Sequence, residues 1–199
     1  MENNENITQA VETAVAKTNW KKELIDWVVC IVLALVIALV VRNFIFTLVS
    51  VDGDSMYPTL KHGDKLFTRI IGYKTPKQGD IIIFNPSISE SNRKPNKETA
   101  YVKRVIAVAG QVVDITPDGH VSVDGKVLEE DYISEPISRL YDTQFPFTVP
   151  EDTVFVLGDN RNRSHDSRQM DVGAVPLENI IGKAEFRLLP FSSFGTLYK

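Results

Sequence analysis

The chain has 199 residues, of which 43% are hydrophobic, and its 22 Lys and Arg against 26 Asp and Glu give a formal net charge of −4. This length fits one domain with a small appendage, and this composition excludes collagen, low-complexity repeats and disorder throughout. The acidic balance argues against a nucleic-acid partner, because nucleic-acid-binding surfaces are normally basic. The single cysteine, Cys30, excludes an internal disulfide framework and any multi-cysteine metal site.

A long apolar segment follows a polar N-terminal tail. Residues 27–41 contain no charge, and apolar residues continue beyond both ends of this run. Because the run alone would span only about 22 Å as a helix, against a bilayer core of about 30 Å, the predicted transmembrane helix covers residues 24–46. The alternatives are a buried core helix, which needs a large protein around it, and a cleaved secretory signal, for which no A-x-A-like small pair follows.

The charges around this segment predict its orientation. Lys17, Lys21 and Lys22 precede the run, whereas only Arg42 follows it closely. Because positively charged flanks stay on the cytoplasmic side, residues 1–23 are predicted to form a cytoplasmic tail, with the residues after about 46 outside the cell membrane. The sequence therefore predicts a single-pass protein in contact with the lipid bilayer.

From residue 50 the chain changes to short β-branched or aromatic runs separated by Gly-Asp, Asp-Gly and Pro turns, a pattern typical of antiparallel β structure. Asp118-Gly119 and Asp124-Gly125 each separate alternating runs, which predicts a three-stranded meander from Val112 to Leu128. The polar stretch 85–99 is predicted to be an exposed, mobile loop. Candidate strands are 65–70, 80–84, 100–109, 111–115, 120–123, 126–128, 153–157 and 180–188.

Two segments contain a possible nucleophile and a possible base. Ser55 lies in a G-D-S-M-Y-P turn that Pro58 stiffens, although a serine in such a turn is usually structural. Lys103 and Arg104 are adjacent in a predicted strand, so one of them faces inward if either face is core. Burial would lower the lysine pKa from about 10.4 and make a neutral amine available as a general base. The alternative is that both side chains extend to solvent.

Two further segments are polar or turn-like. In residues 158–168, Asp166 and Arg168 are close enough in sequence to form an ion pair that would hold a loop, although a solvated turn explains the same pattern. Residues 79–84 read as a turn followed by a buried strand. Each of the four segments alone is weak evidence for any function.

In this order and behind this helix, the four segments resemble those of type I signal peptidases. These are membrane-bound Ser/Lys endopeptidases that remove signal peptides, and the form resembled is the short Gram-positive type with one transmembrane helix. The resemblance implies that Ser55 is the nucleophile, that Lys103 is the general base and that Ser164 orients the lysine by a hydrogen bond. Supporting roles are implied for Asp159, Asp166 and Arg168.

The resemblance also implies a mainly β fold, namely an antiparallel β catalytic domain with a small β insertion on one N-terminal transmembrane helix. The catalytic domain would comprise residues 47–110 and 153–199, and the insertion residues 111–152. No cofactor and no metal are implied. The implied partners are signal-peptide-bearing preproteins, the lipid bilayer and, by proximity, the secretion translocon.

One position departs from the pattern of some family members. In those members a serine two positions before the nucleophile donates its hydroxyl to the oxyanion hole, whereas this chain has Gly53. The backbone N–H of Ser55 remains available, and the second donor stays unassigned.

Three other classes of function remain open. A Ser/His/Asp hydrolase would use His62, His120 or His165, although His165 and the adjacent Asp166 would point apart on an extended chain. A self-cleaving repressor shares the Ser/Lys chemistry but carries a DNA-binding domain where this chain has its apolar helix. A non-enzymatic anchored β module would leave Ser55 unlabelled by acylating probes.

Aromatic residues suggest a second membrane contact. Phe44 and Phe46 follow the apolar run, and Phe191 and Phe194 lie near the C-terminus. They are candidates for an apolar surface that enters the outer leaflet, with ordinary core packing as the alternative.

Overall fold

The computed structural model describes residues 20–40, 46–86 and 100–198, and for Val40 and Phe46 the backbone alone. Most of the predicted tail and most of the predicted loop at 85–99 lie outside the described residues, as do Arg42 and Phe44. The chain divides into two compact units, residues 1–43 and 44–199.

The first unit contains helix α1, Trp20–Val40. Its leucine, isoleucine and valine residues from Leu24 to Leu39 are 51–60% exposed, and this apolar exposure extends around the helix. The predicted helix is present, but it begins at Trp20 instead of residue 24, and residue 46, its predicted end, lies in a strand. Measured over the described residues, no helix combines the length and the hydropathy that crossing a membrane requires. The assignment of the helix as a bilayer span stays a prediction.

The second unit is a β structure, as predicted, and the strand pairs among its described residues are antiparallel. The larger sheet has the order β1-β2-β11-β3-β4-β9-β10, with β12 paired to β11, and the smaller sheet has the order β7-β6-β5-β8. The strands are β1 Phe46–Ser50, β2 Lys65–Arg69, β3 Ile81–Phe84, β4 Tyr101–Val108, β5 Val112–Ile115, β6 Val121–Val123, β7 Lys126–Val127, β8 Phe147–Thr148, β9 Thr153–Leu157, β10 Val175–Pro176, β11 Ile180–Leu189 and β12 Gly195–Thr196.

The eight predicted strands and the meander β5-β6-β7 are confirmed. The strands missed from sequence are β1, β8, β10 and β12. Three of these have only two residues, too few to show an alternating pattern, and β1 continues the apolar run that reads as helix.

Central strands of the larger sheet are covered on both faces. Side chains of β3 alternate between two hydrophobic clusters, with Ile81 and Ile83 in one and Ile82 and Phe84 in the other. A third cluster joins β4 and β9 to the smaller sheet through residues such as Phe155. Because apolar side chains cover both faces of these strands, a polar side chain on β3 or β4 is removed from water and needs a hydrogen-bond partner.

The turn at Gly119 fixes the approach of a connecting segment to the smaller sheet. Gly119 has φ +86°, and its carbonyl accepts a hydrogen bond from Ile137 N at 2.9 Å. A Cβ at this position would lie 2.2 Å from Ile137 O. Gly125, in the next turn, also has a positive φ of +78° but has nothing within 4 Å of its would-be Cβ.

Gly119→Ala should therefore destabilise the protein more than Gly125→Ala. Both alanines carry the left-handed backbone penalty of about 1–2 kcal/mol, and only the first adds overpacking of about 1–3 kcal/mol. Thermal unfolding of the two purified variants in the same detergent measures the difference. Equal melting temperatures would show that residues 119 and 137 are not in the contact described.

Candidate active site

Ser55 is presented by a turn that is anchored in the core. The turn is closed by hydrogen bonds from Tyr57 N to Asp54 O at 3.0 Å and from Leu60 N to Met56 O at 2.8 Å. The side chains of Met56 and Leu60 are fully buried against β2 and β3. Ser55 itself is half-buried, so its hydroxyl is held by a fixed backbone and remains accessible.

Lys103 lies on β4 opposite Ile82 of β3, and its amine reaches the serine. Lys103 Nζ is 2.9 Å from Ser55 Oγ and 3.0 Å from Val102 O, and it lies 5.2 Å from the centre of the Tyr101 ring. The side chain is only 4% exposed. The alternative of a lysine extended to solvent is therefore wrong.

Arg104 is buried as well, at 5% exposure, which the period-two argument did not predict. That argument assumed that the protein core covers only one face of the strand, whereas β4 is a central strand and both of its faces are covered. The amine of Lys103 and the guanidinium of Arg104 are therefore both removed from water, on opposite faces of one strand.

Burial governs the protonation of Lys103. Loss of hydration lowers the pKa of its amine from 10.5 to about 8, and the negative charges of Asp166 and Asp159 oppose this shift without cancelling it. Above about pH 8 the amine is mostly neutral, and its lone pair can then accept the proton of the Ser55 hydroxyl.

Asp159 ties the serine turn to the strand of the lysine. Arg104 donates to both carboxylate oxygens of Asp159, at 2.9 and 2.7 Å, and the Thr59 hydroxyl donates to the same carboxylate. Thr59 belongs to the turn of Ser55, and Arg104 directly follows Lys103. The sequence pointed to Asp159 only through the resemblance, and it missed Thr59 and Arg104 as its partners.

The ion pair predicted between Asp166 and Arg168 is confirmed. Arg168 donates to both oxygens of Asp166, at 2.8 and 2.9 Å, and both side chains are fully buried. Asp166 also accepts a hydrogen bond from Gly158 N at 3.1 Å. The pair therefore holds the two ends of residues 158–168, hereafter the catalytic loop, against each other.

Ser164 lies in this loop but does not form the hydrogen bond to Lys103 that the resemblance implies. Its hydroxyl is buried and has no hydrogen-bond partner among the described residues. The amine of Lys103 contacts Ser55 and the Val102 carbonyl instead. The hydroxyl packs on Gly158, where a Cβ would lie 2.2 Å from Ser164 Oγ and 2.4 Å from Ser55 O. Only glycine fits there, a requirement that the sequence did not reveal.

The backbone next to Ser55 offers a site for a developing oxyanion. The N–H of Ser55 donates to no group among the described residues, whereas that of Gly53 donates to His62 Nδ1 at 3.3 Å. Gly53 has no hydroxyl to donate, and its N–H points to the exposed imidazole of His62. The unpaired N–H of Ser55 is the one donor that sequence and structure both support.

Ser55 and Lys103 open into a groove of about 660 Å³. One wall is β1, which among the described residues pairs only with β2, and another is the start of β4. Its lining is largely apolar, and Asp52, Asp54, Arg163 and His165 are among its polar residues. In the described part of the chain, no group of three or more His, Cys, Asp or Glu side chains is arranged to hold a metal ion.

The three histidines are paired away from the serine. His62 lies 3.1 Å from Asp52, His120 lies 3.8 Å from Asp118, and His165 lies 2.9 Å from Asp171. Within the described ranges none of them hydrogen-bonds to Ser55. The geometry therefore gives no support to a Ser/His/Asp triad.

Several known proteins are similar to this chain over most of its length. The family model for signal peptidase, peptidase S26, matches residues 24–189. Signal peptidase I of Leptolyngbya laminosa is 36% identical over 192 residues, which cover 96% of this chain and 92% of the relative. Signal peptidase IB of Staphylococcus aureus is 36% identical over 191 residues, covering 87% of this chain and 94% of the relative.

A probable signal peptidase I-1 of Synechocystis sp. is 41% identical over 170 residues, 84% of this chain and 83% of the relative. The crystal structure of a signal peptidase I from Enterococcus faecalis V583 is 32% identical, with a TM-score of 0.42, and covers 55% of this chain and 97% of that chain. The chain therefore belongs to the signal peptidase family, peptidase S26, and is a serine endopeptidase for signal peptides.

Proposed function

We propose that Ser55 and Lys103 form the catalytic dyad with which this peptidase cleaves signal peptides from preproteins. The single observation that carries the proposal is the 2.9 Å approach of a buried lysine amine to the serine hydroxyl. A buried lysine without a carboxylate in hydrogen-bond contact is costly for stability, and its contact with a half-exposed serine in a groove gives it a chemical use.

The dyad would act in two steps. Neutral Lys103 takes the proton of Ser55 as its oxygen attacks the scissile carbonyl, while the N–H of Ser55 stabilises the oxyanion. Lys103 then gives the proton to the leaving amine, and an acyl-enzyme on Ser55 remains. Water activated by the same amine hydrolyses this ester and restores the serine.

The groove is suited to an extended peptide. In the part of the chain that the structure describes, no strand pairs with the outer edge of β1, and a signal peptide would add there as a further strand. The apolar lining would take small side chains near the cleavage site. Recognition would then depend on backbone hydrogen bonds and shallow pockets, which suits substrates that differ in sequence.

The supporting residues would act by holding the dyad. Asp159 connects the turn of Ser55 to β4, and the pair of Asp166 and Arg168 closes the catalytic loop. Ser164 and Gly53 would act through close packing and through the backbone, respectively. In this arrangement residues 47–110 and 153–199 form the catalytic domain, and residues 111–152 form the insertion.

Helix α1 would attach the enzyme to the cell membrane. A helix that is apolar on every side is stable in an apolar surrounding, and lipid provides one. The proposed span begins at residue 24 and continues into residues 41–45, which lie outside the described ranges, whereas Phe46 belongs to β1. The lysines before it would keep the N-terminus in the cytoplasm, with the catalytic domain outside and near the translocon that delivers preproteins.

The C-terminal aromatic residues would add a second lipid contact. Phe191 and Phe194 are 82% and 62% exposed, so the alternative of ordinary core packing is wrong for both. Exposed aromatic side chains on a membrane-attached domain are suited to the interfacial region of a bilayer.

Ser55→Ala should abolish cleavage of a synthetic peptide bearing Ala-x-Ala, because no other hydroxyl contacts the amine of Lys103 among the described residues. Labelling by a serine-directed acylating probe should be lost at the same time. The melting temperature serves as the control, since a half-buried hydroxyl contributes little to stability. Cleavage at the normal rate by the folded variant would end the nucleophile assignment.

Activity should rise with pH and reach half of its maximum near pH 8, where the burial-lowered pKa of Lys103 lies. The sign follows from the chemistry, because only the deprotonated amine accepts the serine proton. The measurement is kcat/KM against pH for peptide cleavage, because this ratio reports the pKa of the free enzyme. A profile that titrates near pH 6.5 would instead point to a histidine as the base.

Lys103→Arg is the matched control for the pH experiment. A guanidinium stays protonated at every pH used, so the variant should be inactive across the whole profile. Normal turnover by this variant would contradict the role of Lys103 as the base.

The membrane orientation is tested on the full chain in protoplasts. External protease should degrade the part of the chain after residue 46 and leave a protected N-terminal fragment that includes Cys30. Labelling of Cys30 after detergent treatment identifies this fragment, since it holds the single cysteine of the chain. Complete resistance of the catalytic part in intact protoplasts would overturn the proposed orientation.

A further inference from the structure

A buried ion pair connects the region of the smaller sheet to the catalytic loop. Glu130, which follows β7, accepts hydrogen bonds from both terminal nitrogens of Arg161, one of them at 2.9 Å. The two side chains are 2% and 0% exposed. Removing both charges from water is costly, and neither residue takes part in the dyad described above. The burial of this ion pair therefore needs a physical explanation.

Arg161 carries the connection towards the serine. Its Nε donates to Gly158 O at 3.1 Å, and its own carbonyl accepts a hydrogen bond from Arg168 at 2.6 Å. Gly158 in turn packs so closely on Ser55 O that a Cβ would lie 2.4 Å from it. A displacement of Arg161 would therefore move Gly158 and allow the turn of Ser55 to move with it.

Tyr132 makes a second connection, towards the lysine. Its hydroxyl donates to Glu130 at 2.8 Å, and the guanidinium of Arg104 stacks 4.0 Å from its ring centre. Burial raises the pKa of Tyr132, so the phenol stays protonated and remains a donor. Arg104 directly follows Lys103 on β4, so Glu130 and Tyr132 contact the catalytic loop and the strand that carries the lysine.

We propose that Glu130 is a positioning residue, which holds the serine and the lysine at reacting distance through Arg161 and Tyr132. The inference rests on the proposed function of the dyad. It gives the segment between β7 and β8 a part in catalysis, although no residue of that segment lies among those that line the groove at Ser55.

The decisive variant removes the ion pair without leaving a lone charge. Glu130→Ala alone would bury an unpaired guanidinium and is expected to unfold the protein. Glu130→Leu with Arg161→Met instead supplies apolar side chains of similar size, which buried sites of this kind tolerate. In full-length protein in detergent, kcat should fall about 10-fold or more, because misplacement of reacting groups is costly, while KM stays within about two-fold.

The pH profile separates positioning from stability. If water enters when the loop loosens, the pKa of Lys103 returns towards its ordinary value, and the rise of kcat moves to higher pH. A purely structural pair would change the melting temperature without moving this profile. A double variant that folds and keeps both the wild-type kcat and its pH dependence would overturn the proposal.

Arg161→Lys provides a second test if the double variant does not fold. The ammonium keeps the charge opposite Glu130, but it lacks the rigid fork that reaches Glu130 and Gly158 O together. Its kcat should also fall, with KM little changed, and an unchanged kcat would count against the proposal.

The matched control is Arg69→Met with Glu185→Leu. This pair joins β2 to β11 at 2.9 Å and makes none of the contacts described for the catalytic loop. Its kcat should equal that of the wild type. Acylating-probe labelling of wild-type Ser55 distinguishes the two proposals: an unlabelled wild type means that the dyad assignment fails, whereas equal labelling rates in wild type and double variant mean that only the role of Glu130 fails.

Discussion

The contact between the buried amine of Lys103 and the hydroxyl of Ser55 is the interaction on which the rest of the site depends. At this position the amine of Lys103 is removed from water, and this loss of hydration disfavours its charged ammonium form. The amine is therefore mostly neutral at moderately alkaline pH. The surrounding structure therefore has two tasks. It must keep water away from the amine, and it must keep the serine within reach.

Three buried arginine–carboxylate pairs would contribute to both tasks. They are Arg104 with Asp159, Arg161 with Glu130, and Arg168 with Asp166. The guanidinium of each arginine partly offsets the negative charge of the carboxylate with which it pairs. This matters because unpaired Asp159 and Asp166 would favour the protonated lysine more strongly. The same pairs connect the turn of Ser55, strand β4 and the catalytic loop, so electrostatic balance and positioning are provided by the same side chains.

Local signals in the sequence predicted much of the fold. The apolar run predicted α1, and the Asp-Gly turns between alternating residues predicted the meander β5-β6-β7. Both are local patterns that need no knowledge of distant partners. The two-residue strands escaped prediction because their pairing depends on where the neighbouring strand lies. The burial of Arg104 escaped for a related reason, since alternation along β4 does not say how many of its faces are covered.

By itself, the sequence determined the local elements and, through a resemblance spread over four segments, predicted Ser55 and Lys103 as the catalytic pair. Only the tertiary structure decided that these two side chains, 48 positions apart, lie 2.9 Å from each other. It also decided the pairing of Arg161 with Glu130 across 31 positions and the close packing of Gly158 on the serine. The physical reason is that hydration and distance are set by everything that packs around a group, and most of those neighbours are remote in the chain.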